Sequence, residues 1–160
     1  MSVARPEFDP ELKAGLAVVG GVFPPTITPD LIPFMRRSYA SPPIEETLRG
    51  RAIEREEHTV AWHRGDPVDV SVLRPTDAAD ARPCVLFVHS GGLMFGDRFS
   101  GADLVLGWVE TLGAVLVTVE YRLAPEFPDP FPREDCYAAL EWVAANAERL
   151  GARRDRLLVA

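Results

Sequence analysis

CVLFVHSGGLMFGD, residues 84–97, runs without a polar side chain from Cys84 to Val88, halts at His89 and passes at once into Ser90, Gly91 and Gly92. A short apolar run bounded by glycine, with β-branched and aromatic members, predicts a strand buried on both faces, as in parallel sheets. The loop after it lies at the carboxyl end of that strand, where open α/β sheets place their ligands. Paired glycines let the backbone turn tightly and leave its N–H groups without side-chain cover. The segment therefore predicts a loop that aims backbone amides at a bound group.

The flanking sequence supplies the rest of an α/β unit. Residues 101–112 predict a helix with Leu104, Trp108 and Leu112 on its core face and Gly113 at its end. Residues 114–120 form a second unbroken apolar run, hence another interior parallel strand. A longer helix is predicted over 134–150: Cys136, Leu140, Val143, Ala147 and Leu150 make its apolar stripe, and Glu134, Glu141 and Glu148 repeat on the opposite side. Arg149 would face the dipole at its end, with Gly151 just beyond. RLLVA, residues 156–160, predicts a further strand. Upstream, residues 58–63 and 68–74 flank the turn cluster of Arg64, Gly65, Asp66 and Pro67, which predicts an antiparallel hairpin. Such alternation gives the α/β class, a mostly parallel sheet with helices on its faces and a leading antiparallel hairpin.

The first 55 residues differ in texture. Eight prolines punctuate short helical patterns: Asp9 is placed to cap a helix starting at Pro10, and Thr28 or Asp30 to open another through Arg37. The expected organisation is a helical leader over residues 1–55 and a core over 56–160. The residues alone fit a proline-rich leader that packs on the core.

VHSGG resembles the H-G-G-G loop of the hormone-sensitive-lipase-like branch of the α/β-hydrolases, with Ser90 standing where that loop has its first glycine. Residues 119–132, VEYRLAPEFPDPFP, are similar to the Y-R-L-A-P-E block of the same family, and the two motifs occur in the family's order over roughly residues 58–160. The resemblance implies the amino-terminal half of an α/β-hydrolase sheet with a helical cap segment in residues 1–55. It also implies that the Gly91 and Gly92 amides form half of an oxyanion hole. His89 becomes a loop-bracing residue, and the Ser90 hydroxyl is available to brace the same turn. Tyr121, Arg122, Glu126 and Asp135 become a scaffold in which carboxylates hold the arginine fork. The implied activity is hydrolysis of short-chain carboxylic esters, without metal or cofactor. G-x-S-x-G, which would carry the nucleophile, occurs nowhere in the 160 residues, and the acid and histidine partners follow it in chain order. The chain alone is thus expected to be inactive. A non-hydrolytic small-ligand-binding relative is the alternative, since fold does not decide function. A third reading, that the short chain is itself the functional product, would leave the edge of an apolar strand uncovered.

Other classes are disfavoured by the residues themselves. A formal net charge of −7 supplies no basic stripe for nucleic acid. Gly91 to Gly96 spells the opening of a P-loop, but Asp97 and Arg98 stand where lysine and a hydroxyl residue are required, and no G-x-G-x-x-G occurs. Glu57, His58 and His63 read as solvated hairpin positions, not as metal ligands. Cys84 and Cys136 read as small buried hydrophobes, not as a disulfide. MSVARPEFDPELK lacks a positively charged start, and the apolar stretch 14–23 is shorter than the about 20 residues of a membrane span. The expected setting is cytoplasmic, with a small-molecule ester as partner.

Overall fold

The computed structural model describes residues 6–20, 26–61, 66–77 and 81–160. The chain parts into two compact units, Met1–Phe34 and Met35–Ala160. In the first, helix α1 (Pro10–Gly20) opens on Asp9, whose Oδ1 accepts from the amides of Glu11 at 2.9 Å and Leu12 at 3.3 Å. This is the predicted cap, with proline at the first helical position, where no amide donor is required. A 3-10 turn at Pro29–Leu31 follows Thr28, then helix α2 (Ile32–Ser38) continues across the division between the units.

In the second unit, a short helix α3 (Ile44–Leu48) precedes a five-stranded sheet formed by β1 (Ile53–Val60), β2 (Val68–Pro75), β3 (Arg82–Phe87), β4 (Val115–Val119) and β5 (Ala152–Val159). Its order is β1-β2-β4-β3-β5. β1 and β2 pair antiparallel from Ile53↔Pro75 to Val60↔Val68, and β2 meets β4 antiparallel through Val70↔Val119. β3 runs parallel to β4 (Cys84↔Val115) and to β5 (Cys84↔Leu157). Helices α4 (Ala102–Leu112) and α5 (Phe131–Asn146) are the two crossovers.

Side-chain alternation along the central strands fills both faces. Val70, Val72, Cys84, Leu86, Val115 and Val117 join Ala139 and Val143 of α5, whereas Leu73, Val85 and Leu116 join Val105, Leu106 and Val109 of α4. Burial on both sides is why β3 and β4 read as continuous apolar runs.

Four expectations need correction. β1 begins at Ile53, five residues before the predicted start, because IEREEHTV carries charge along an edge strand and so hides its period; His63 and most of the hairpin turn lie outside the described residues. His58 is not simply solvated: its ring packs 5.0 Å from that of Trp142, while Glu57 accepts from the buried Ser71 hydroxyl at 2.7 Å. On α4 the buried stripe is Ala102, Val105, Leu106 and Val109, and Leu104 (78 %), Trp108 (37 %) and Leu112 (65 %) are exposed. Two stripes of that helix are apolar, and packing on the sheet chose the one with the smaller residues. α5 starts at Phe131 and ends at Asn146; it buries Asp135, Ala138, Ala139 and Val143, and Cys136 and Leu140 are half-buried. Arg149 lies past its end, over the Trp142 ring at 5.6 Å, although Ala147 and Leu150 are buried as expected.

Candidate functional site

Strand β3 is held on its outer side by β5, with the Val88 amide donating to Ala160 at 2.8 Å and the Ala160 amide to Leu86 at 2.9 Å. The chain then turns sharply. Gly91 has φ 131°, Gly92 61° and Leu93 62°, and the Gly91 carbonyl accepts from the amides of Met94 at 3.2 Å and Phe95 at 3.1 Å. A Cβ on Gly91 would lie 2.1 Å from the Phe95 carbonyl oxygen, whereas one on Gly92 would meet nothing within 4 Å. Only glycine fits the first position, and the second faces open space.

Among the described residues, neither the Gly91 nor the Gly92 amide donates a hydrogen bond. The carbonyl of Gly91 and the N–H of Gly92 share one planar trans peptide and point opposite ways. With that carbonyl directed into the turn, the Gly92 N–H points out of it. The loop thus offers free donors of the kind that bind a carbonyl oxygen or an anion.

His89 is buried beneath this turn. Its Nδ1 lies 2.8 Å from the Ser90 carbonyl, which can only accept, so Nδ1 carries the proton. Tyr121 stacks on the imidazole at 4.1 Å between ring centroids and 10° between planes, and its hydroxyl donates to the His89 carbonyl at 2.8 Å. Burial lowers the His89 pKa, against the opposing pull of the Ser90 carbonyl and the Asp97 charge. Through Nδ1 and its stacked face the ring holds the loop. Burial likewise pushes the Tyr121 phenol up to about 12, assisted by Cys136 and Glu120. Ser90 is exposed and its hydroxyl has no hydrogen-bond partner among the described residues, so its carbonyl rather than its hydroxyl serves the turn.

The second motif lies beside the first. Arg122 donates from Nε to Asp135 Oδ2 at 2.9 Å and from Nη2 to Oδ1 at 2.7 Å, and its backbone amide also reaches Oδ2 at 2.9 Å. Asp135 is wholly buried, and that hydrogen-bonded pairing raises the Arg122 pKa further. Glu126, expected in the same fork, pairs instead with Arg36 at 2.6 and 3.0 Å. The Ala124 amide donates to the Leu93 carbonyl at 2.8 Å, joining the two motifs directly.

Sequence reasoning passed over several neighbours. Asp97 accepts from the amides of Ser41 at 2.8 Å and Phe99 at 2.9 Å; burial pushes its carboxyl upward, but these donors outweigh it and hold the pKa below the ordinary value. Ser41, Ser90, Gly96, Ser100 and Tyr39 line a cavity of about 590 Å³ beside the loop. Gly96 was a readable signal: a Cβ there would meet His89 Nδ1 at 2.8 Å.

Residues 85–160 match the family model described as alpha/beta hydrolase fold. The chain is 36 % identical over 163 aligned residues to a carboxylesterase, NlhH, of Mycobacterium tuberculosis, covering 99 % of this chain and 49 % of that protein. It is 33 % identical over 88 residues to the hormone-sensitive lipase of Bos taurus, covering 55 % of this chain and 12 % of that one. Among solved structures it resembles a hyperthermophilic esterase from the archaeon Pyrobaculum calidifontis, with TM-score 0.73 and 28 % identity over 94 % of this chain and 48 % of the other. A bacterial heroin esterase gives TM-score 0.74 and 31 % identity over 94 % and 47 %. The chain spans about half the length of the carboxylesterase it matches.

Proposed function

We propose that this chain, whose residues 85–160 match the α/β-hydrolase fold model, is the amino-terminal part of a serine carboxylic ester hydrolase. Its share of the chemistry is the oxyanion-binding loop. As an acyl group is attacked, negative charge grows on the carbonyl oxygen, and the amides of Gly91 and Gly92 donate to it. His89, braced by Tyr121 and the Ser90 carbonyl, keeps the loop in shape, and Arg122 with Asp135 holds the segment beside it. The 160 residues contain no G-x-S-x-G, so the serine, its histidine base and the acid are assigned to polypeptide outside them. The helical segment ahead of β1 is assigned to a cap, and the sheet that begins at Ile53, with its covering helices, to the core. Small neutral carboxylic esters are the substrates, a reading supported by the esterases and lipase it resembles.

The observation that carries this proposal is the pair of glycine amides without internal partners at the end of a parallel strand. The test is an assay of the 160-residue chain with a chromogenic short-chain ester, beside the product of the same coding DNA read past Ala160. The expected result is no turnover above buffer by the short chain and hydrolysis by the longer one, abolished by a serine-directed phosphonate. Turnover by the short chain that the phosphonate blocks, or a longer product that binds esters without cleaving them, would overturn it.

A further inference from the structure

We propose that Arg36 is a positioning residue for the glycine loop. Its guanidinium clamps the Met94 carbonyl to the Ala124 carbonyl and so holds the turn that presents the Gly91 and Gly92 amides. Nε donates to Met94 O at 3.0 Å, Nη2 to Ala124 O at 2.9 Å, and the fork is completed by Glu126, reached from Nη1 at 3.0 Å and Nη2 at 2.6 Å. Three nitrogens of one rigid plane thereby meet three groups. A lysine ammonium, a single point of charge on a flexible stem, does not match that pattern.

The clamp acts on the point where the loop is least able to hold itself. Leu93 sits at φ 62°, a left-handed conformation that a side-chain-bearing residue resists. Its carbonyl is held by the Ala124 amide at 2.8 Å and the next carbonyl, Met94, by Arg36. Met94 in turn donates its amide to the Gly91 carbonyl. Because that carbonyl and the Gly92 N–H share a peptide plane, a shift at Met94 rotates the Gly92 donor. The ion pair with Glu126 is a lesser part of the device. Both side chains are substantially exposed, 30 % and 53 %, and an exposed pair of this kind contributes little. Glu126 orients the guanidinium, and the bonds to the two carbonyls set the loop.

The assignment rests on the oxyanion reading of Gly91 and Gly92, but its test needs no ester. Amide hydrogen exchange of the 160-residue chain, read by NMR, is compared with that of Arg36→Ala, Arg36→Lys and Glu126→Gln. Arg36→Ala is expected to speed exchange at Met94, Phe95 and Ala124 at least tenfold and to displace the Gly91 and Gly92 cross-peaks. Residues 115–119 of the central strand should keep their protection. Arg36→Lys should recover part of the protection and Glu126→Gln should stay within threefold of the parent chain. Unchanged exchange at the three loop amides would overturn the proposal, as would acceleration spread evenly over the whole sheet in both Arg36 variants. Either outcome leaves the ester assay untouched, and an inactive longer enzyme would leave the clamp standing.

Discussion

At the scale of single residues, the two glycines of the turn are not equivalent. Gly91 combines φ 131° with a Cβ position 2.1 Å from a backbone oxygen, so alanine there must displace the turn itself. Gly92 has open space around it, and alanine there meets only the left-handed penalty of about 1–2 kcal/mol. Urea titration of both variants should show Gly91→Ala to be the more destabilising. Near-equal losses would mean that the Phe95 carbonyl gives way.

His89 makes a signed pH prediction. Burial lowers its folded pKa below the ordinary 6.5, so the unfolded chain takes up the proton first on acidification. Its contribution to stability is complete above about 6.5 and is lost as pH falls from there towards the folded value. The urea midpoint should therefore drop between pH 7.5 and 5.5 by more in the parent chain than in His89→Gln; equal slopes would place the proton uptake elsewhere. Paired glycines after an apolar run made this loop legible. The bracing by Tyr121 was not, because 32 residues separate it from His89.

At the scale of elements, α4 shows where periodicity stops. Leu104, Trp108 and Leu112 recur as regularly as Val105, Leu106 and Val109, and only contact with the sheet tells the stripes apart. Leu106→Ala should cost about 2–5 kcal/mol, whereas Leu104→Ala should stay within about 0.5 kcal/mol of the parent. Equal losses in denaturant titration would return the core face to the first stripe.

The segment after β4 depends on Arg122. Its fork to the buried Asp135 is flanked by the rings of Phe131 at 4.7 Å and Phe127 at 5.3 Å. Arg122→Ala would strand a carboxylate in the interior and should lower stability by about 3–5 kcal/mol. In the longer hydrolase proposed above, an Arg122→Ala variant that kept its melting temperature but lost turnover would give Arg122 a part in the chemistry instead. The motif that drew attention to Arg122 was legible. The assignment of Glu126 to the same fork failed because its arginine lies 90 residues away.

At the scale of the whole molecule, one sheet covered on both faces accounts for the chemistry of the two thiols. Cys84 and Cys136 are free, and burial pushes each up to about 12, with the charge of Asp135 adding to the second. Neither should react with a disulfide reagent at pH 8 in the folded chain, and both should react in urea. Fast labelling of either in the native state would show that the layer over it opens readily. Among the described residues, no helix is long and apolar enough to cross a membrane.

Local chemistry was sufficient for the interior strands, the α/β class, the Asp9 cap and the glycine turn, because apolar continuity, side-chain hydrogen bonding to nearby amides and the φ range of glycine act within a few residues. Three features needed the packed chain: the stripe of α4 that is buried, the charged edge strand β1, and the arginine that takes Glu126 and the Met94 carbonyl. Each turns on contacts between segments far apart in sequence. A helical period is unchanged by rotation about its axis, and a carboxylate does not encode which distant guanidinium will reach it.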